Sequence, residues 1–388
     1  MRRSLLVLLA SMLAGTVLVA CDDSDDDSSE NATEDRGTEV IVFNGEGNNL
    51  NAYSAEPPFD SQRVISNAEE DPDGLDLNAQ ICFFDDDTRM IAGEDTGQPD
   101  PPAGWGIFEV DGDAIGDLSA SKVGKLTPTY QASEDSPENY GCGVLSDGRI
   151  VTTDIGDQAA GPGNGQLIVW FPPFDRGADG EVGAVSYCKL DVGIATATGI
   201  AVDDQDNVYV ASARPPTGGV WRYSGPFPTD ATPEGGCETT DSTGAPLTED
   251  VDKELFIPPE EHGLGTPVAV AISDQGTFFV SSVFTGVINE YDADGAFLRT
   301  ILAPPEGEAI GETSFSTGTP QGIGLGPDGT LYYADLGIVW TEGDALPGPG
   351  PEGTVRRIVF VDGEPQPPEV MGSGLAFPDG IGVLVAGG

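Results

Sequence analysis

"GTPQGIGLGPDGTLYYAD", residues 318–335, decides the reading of this chain. A short apolar run from Gly322 to Leu325 meets the turn Gly326-Pro327-Asp328-Gly329, and a second run rich in aromatics ends at Asp335. Two β-prone runs joined by a tight polar corner read as a hairpin. With Gly322 as position zero, the corner falls at six and seven, Leu331 at nine and Asp335 at thirteen.

The same frame recurs. "GCGVLSDGRIVTTD" fits from Gly141, "GIAVDDQDNVYVAS" from Gly199 and "AVAISDQGTFFVSS" from Ala269. "ICFFDDDTRMIAGE" fits from Ile81, and a partial copy, "GIGVL", begins at Gly380. The starts at 81, 141, 199, 269, 322 and 380 are 60, 58, 70, 53 and 58 residues apart. A self-similar β unit at this period predicts an all-β propeller, with blades stacked around a channel. A second hairpin follows in most units, as in "GVINEYDADGAFLRTIL" (286–302), which makes four-stranded blades. The copy at 380 stops after one strand, and "EVIVFNGEGNNLNAY" (39–53) reads as the second and third strands of a blade. The C-terminal strand is therefore expected to pair with the N-terminal ones, closing a six-bladed ring and removing exposed edges.

The N-terminus carries a different message. Arg2 and Arg3 precede the apolar run "LLVLLASMLAGTVLVA", which reads as an export signal too brief for a membrane span. Leu18-Val19-Ala20-Cys21 resembles the lipobox of bacterial lipoproteins, which implies lipidation of Cys21 and a membrane partner through that lipid. Residues 22–39, "DDSDDDSSENATEDRGTE", hold almost no apolar side chain and read as a solvated, charge-extended tether. The expected organisation is a signal peptide at 1–20, the lipidated Cys and tether at 21–38, and the propeller at 39–388. The expected address is the cell envelope, facing periplasm or exterior.

Sixty-six acidic residues stand against 16 basic ones, a formal charge of −50. Loss of Arg2 and Arg3 with the signal takes it to −52. Nucleic acid is excluded as a partner, because phosphate binding needs a basic face. Four cysteines remain after Cys21, an even number that suggests two disulfides in an exported chain. Cys82 and Cys142 share position one of adjacent repeats, and Cys188 and Cys237 flank an insertion, so Cys82–Cys142 and Cys188–Cys237 are the expected pairs.

On "TGIAVDDQDNVYVAS", "PQGIGLGPDGTLYYAD" and "PDGIGV", the chain resembles six-bladed propellers of the NHL-repeat and gluconolactonase (senescence-marker protein) type. The resemblance implies that the residue before each first glycine faces the channel: Gln80, Tyr140, Thr198, Val268, Gln321 and Asp379, with Asn78 and Asn139 close by. In gluconolactonase-like enzymes this ring holds a divalent metal such as Ca²⁺ on a Glu, two Asn and an Asp. Asp379 matches the Pro-Asp-Gly ligand motif and Asn139 stands one position off, but no Glu joins them.

Catalytic devices are otherwise sparse. His262 is the sole histidine, and "MGSGLA" (371–376) is not a nucleophile elbow. "DGDAIGD" (111–117) and "DADG" (292–295) read as hairpin corners, lacking the later ligands of a calcium loop. Asp154 and Asp335 read as acceptors for backbone N–H groups at strand ends. Two insertions, 156–177 and 225–250, are expected on loops at one face, where partners are met. The aromatics in and beside them, Trp170, Phe171, Phe174, Trp221, Tyr223 and Phe227, could line such a face but read first as core packing between blades. The expected function is a monomeric ligand- or protein-binding module of the envelope, engaging a small molecule or an envelope protein at the channel mouth and loop face. The alternative is a metal-dependent lactone or ester hydrolase.

Overall fold

A computed structural model describes residues 39–386, apart from 47–48, 67–76, 78, 86, 95–103, 129, 131–137, 157–162, 178–181, 250, 260, 305–317 and 338–352. Cys21, Asn78, the signal segment and the tether therefore lie outside the described residues. Six antiparallel blades surround one axis. Blade one joins Glu39–Glu46, Asn49–Ser54 and Ser61–Ser66 to Pro378–Ala386. The innermost strands of blades two to six are Cys82–Phe84, Asn139–Val144, Ala197–Val202, Pro267–Ile272 and Pro320–Leu325. Closure is as expected: Glu39 pairs with Ala386, Val42 with Val383 and Asn44 with Ile381.

The burial of each strand follows from its depth in the blade. Second strands such as Val208–Ser212, Phe278–Ser282 and Leu331–Asp335 are buried at every residue, because a neighbouring blade covers each face. Each opens on a run of three or four apolar or aromatic residues for that reason and ends in Ser or Asp. The outer strand Phe297–Leu302 alternates between exposed and half-buried residues. Strand alternation then sends side chains to two different interfaces. Val208 and Val210 pack toward blade three, whereas Tyr209 and Ala211 pack toward blade five. Among the described residues six such clusters, one per blade junction, make up the core between blades. The aromatics Trp170, Phe171, Phe174, Tyr223 and Phe227 are all buried within them, and Trp221 is packed against them.

The glycine at position zero has a steric role. A Cβ on Gly141 would stand 2.3 Å from Thr198 O, on Gly322 2.4 Å from Asp379 O, and on Gly380 1.4 Å from Ala79 O. Gly199 meets Val268 O at 2.7 Å. Each faces the innermost strand of the next blade, so glycine here sets how closely the inner strands approach. The corners are built from local bonds. Gly329 adopts φ +83° while its N–H donates to Gly326 O at 2.9 Å, and Asp328 Oδ1 accepts the Thr330 N–H at 3.0 Å. "DADG" is likewise a corner, with Asp292 Oδ1 accepting from Ala296 N at 2.8 Å. Asp335 Oδ1 accepts from Thr319 N and Gly337 N, and Asp154 Oδ1 from Gly156 N, as expected of strand-end acceptors.

Both expected disulfides form. Cys82–Cys142 joins the inner strands of blades two and three, with Cα atoms 6.0 Å apart. Cys188–Cys237 secures the second insertion. The first insertion is divided between the two ends of the ring: residues 156–164 join the second and third strands of blade three, whereas 171–177 follow its third strand, at the same end as 225–251, which join the third and fourth strands of blade four. From there the second insertion reaches back and adds Pro246–Leu247 and Thr239–Thr240 to the outer edge of blade three. Lys189, buried against the Tyr130 ring, pairs with Asp241 at 2.5 Å and completes that seam. The insertion thus covers an edge strand.

Candidate functional site

The residue before each inner-strand glycine starts that strand at one end of the channel, here the ring end. Tyr140, Thr198, Val268 and Asp379 are all buried there, and Gln80 and Gln321 are half-buried. The expected open mouth is instead filled by its own side chains. Asp379 belongs to blade one and Tyr140 to blade three, so the phenol spans the axis past blade two to face the Asp379 carboxyl. Gln321, on the other flank of Asp379, also directs its amide there, as does the Ala79 backbone N–H.

Burial raises the Asp379 carboxyl to about 6, against the pull of the Tyr140, Gln321 and Ala79 donors. Burial and the adjacent Asp379 charge together push the Tyr140 phenol well above its ordinary value. Asp379 Oδ1 is left without a hydrogen-bond partner, and the Tyr140 hydroxyl falls short of full hydrogen-bond geometry. One strand away, Asn44 donates to Gly380 O at 2.8 Å while its Oδ1 also lacks a partner. Above this polar group lies an apolar cap of Ala213, Val268, Val283 and Leu336, with Phe284 and Phe377 packed on it. Ala213, Val283 and Leu336 each directly follow a second strand, which places the cap at the ring end.

Gln80 does something different from its neighbours. Its amide crosses from blade two to blade four, where Nε2 donates to Ile200 O at 2.9 Å and Oε1 accepts from Ile200 N at 3.0 Å. Oε1 also receives the Cys142 N–H at 3.3 Å on the way. Gln80 is therefore a strap across the channel. Beyond it opens a well of about 320 Å³, lined by Ile81, Phe83, Val144, Ile200, Ile323 and Val383 among others, facing the Asp-Gly corners. Thr198 is likewise engaged within the scaffold, donating to Ala211 O at 3.0 Å.

The structure thus brings Tyr140, Gln321 and Asp379 together, and it turns Asn139 elsewhere. Asn139 precedes Tyr140 on one strand, so alternation points its side chain the other way. Its Nδ2 reaches Gly104 O in blade two at 3.4 Å. A calcium-type ion prefers six to eight oxygens with several carboxylates. Among the described residues Asp379 is the carboxylate that faces O–H and N–H donors here, Glu138 reaching Tyr140 only through its charge, and no group of three or more His, Cys, Asp or Glu converges. The residues present do not fit such an ion. His262 stacks on Phe297 with ring centroids 3.7 Å apart.

Fold and channel define the class: a six-bladed β-propeller. Solved structures share this fold at low identity. A protein from Lactobacillus plantarum is 13% identical, covers 89% of this chain and 99% of its own, and gives a TM-score of 0.50. A luciferin-regenerating enzyme is 14% identical, with 88% and 99% covered and a TM-score of 0.49. A putative 6-phosphogluconolactonase from Bacteroides fragilis is 12% identical, with 92% and 100% covered and a TM-score of 0.48. Likeness at this level is one of fold. No family model and no curated protein matches the chain.

Proposed function

We propose that this chain is an exported binding module of the cell envelope, anchored through lipid at Cys21, that engages a small donor-bearing ligand at the ring end of its channel. The observation that carries this reading is Asp379: a buried carboxyl whose Oδ1 has no partner, beside a phenol that only partly satisfies it. A buried acceptor left open costs about 1–3 kcal/mol, which a ligand O–H or N–H arriving there would recover. Entry requires the apolar cap to part, after which it supplies the body of such a site and Gln321 a second polar contact. Two disulfides support an oxidising compartment. The absence of a nucleophile and base pair around Asp379, among the described residues, favours binding over hydrolysis.

Thermal melting against a panel of sugars, lactones and amines, and against Ca²⁺ and Mn²⁺, tests this. At least one organic ligand is expected to raise the Tm of the wild type and leave Asp379→Asn unmoved. If no compound shifts the wild type, the ring-end site is wrong. A shift with a metal alone, coupled to lactone turnover lost in Asp379→Asn, would replace binding by hydrolysis. Incorporation of labelled palmitate, expected in the wild type and lost in Cys21→Ser, tests the anchor separately.

A further inference from the structure

A second concavity lies at the opposite end of the ring, independent of Asp379. Blades five and six meet there at a groove of about 440 Å³, within the range of small-molecule sites. Ile272, Phe279, Leu325, Phe360, Val383 and Val385 supply its apolar lining, and Ser273, Gln275 and Thr277 of the blade-five corner a neutral polar part. Phe360 comes from a small hairpin, Phe360–Val361 with Glu364–Pro365, inserted between the last two strands of blade six. It meets Phe279 of blade five edge-on, with centroids 6.0 Å apart. Three separate parts of the chain therefore converge, the last being the closing strand.

The rim is acidic. Asp274, Asp328 and Glu290 line the groove with a single cation, Arg299. Arg299 is committed: its Nε donates to Glu290 Oε2 at 2.6 Å and its Nη1 to Gly363 O at 2.7 Å. Glu290 is 8% exposed, so that pair is held within the wall. Asp274 and Asp328 form no ion pair among the described residues, and Asp328 is tied only to Thr330 of its own turn. After the Arg299–Glu290 pair cancels, two carboxylates remain above an aromatic and aliphatic floor. An anion would be repelled there, and a neutral apolar molecule would leave the rim unused. An ammonium on an apolar body satisfies both, through Coulomb attraction at the rim and burial below.

We propose that this groove binds a small amphipathic cation, its ammonium at Asp274 and Asp328 and its apolar body against Leu325 and Phe360. Isothermal titration of the full-length protein with phenethylammonium, the neutral 3-phenylpropan-1-ol and 3-phenylpropionate tests it. The cation is expected to bind one site, about tenfold more tightly than the alcohol, with no saturable binding of the carboxylate. Asp274→Asn, at an exposed corner, is expected to weaken the cation severalfold, and Phe360→Ala to abolish binding. Asp379→Asn, at the other end of the ring, leaves this affinity unchanged, so the two sites fail independently. No saturable cation binding, equal affinity for all three probes, or indifference to Asp274→Asn overturns the proposal.

Discussion

The two ends of the central channel are built from the same six strands and differ in nearly everything else. At the ring end, polar side chains turn inward and are sealed under an apolar cap, with Asp379 at the centre. At the corner end, aliphatic side chains line an open well, and its floor is the amide strap of Gln80. One alternation explains both. Position minus one of each repeat sends its side chain to the axis at the ring end, and the following inner-strand residues line the well at the other. What differs is how far each side chain reaches. Tyr140 and Gln80 are long enough to pass one blade and contact the next but one, so they close a channel that shorter residues would leave open.

The largest expected effect is at the strand contacts that hold both ends together. Gly380→Ala places a Cβ 1.4 Å from Ala79 O, where the opposing group is backbone. Its cost should exceed about 3 kcal/mol in urea unfolding. Gly329→Ala, at φ +83° with nothing within 4 Å, should cost only about 1 kcal/mol. Equal losses would mean that inner-strand approach is not what the position-zero glycine provides.

Next comes Asp379, which distinguishes the ring end by pH. Its carboxyl is raised from 3.8 to about 6 in the folded chain, so folding binds a proton that the unfolded chain releases. That stabilising contribution is fully present below the unfolded value and is lost as pH rises through the folded one. Asp379→Asn should therefore unfold at higher urea than the wild type above about pH 7, by roughly 2–3 kcal/mol, and the advantage should shrink below about pH 4. Asp147 and Asp241, whose carboxyls Arg149 and Lys189 hold below their usual range against desolvation, act in the opposite direction at low pH in both proteins. The difference between the two curves isolates Asp379. A difference independent of pH would remove the buried, ionisable carboxyl from the account.

The smallest expected effect belongs to the strap. Gln80→Leu keeps the volume but leaves the Ile200 N–H and C=O without their partner, a loss of about 1–3 kcal/mol. Hydrogen exchange at the Ile200 amide should quicken selectively. An unchanged rate there would show that the strap contributes little to the floor of the well.

The blade count, the corners and the closing strand were legible because each depends on local chemistry: turn residues, strand alternation and a repeated spacing. Cys82–Cys142 was legible from repeat position, and Cys188–Cys237 from the insertion that the two flank. The second insertion was not, because its destination is the edge of a different blade, chosen by Cys237, Asp241 and Pro246 together. The burial of Tyr140, Thr198, Val268 and Asp379 has no sign in the sequence. A residue's place on a strand says which way it points and nothing of what its neighbours across the channel fill. Asn44 carries no signal in the sequence beyond its place in the closing pair, one strand from Asp379. The groove at blade six had a readable sign in "FVDGEP" (360–365), a short hairpin with its own Asp-Gly corner.

The stretch around Asp328 shows the division. Its sequence determined by itself that residues 322–335 form a hairpin with a glycine at the turn, since those are constraints on neighbouring backbone atoms. Only the tertiary structure decided that Gln321 faces a buried acid from the closing strand, and that Asp328 stands on the rim of a groove walled by three parts of the chain. Local sterics act within a few residues. The field around a carboxylate and the shape of a cavity are set by whatever the closed ring brings beside them.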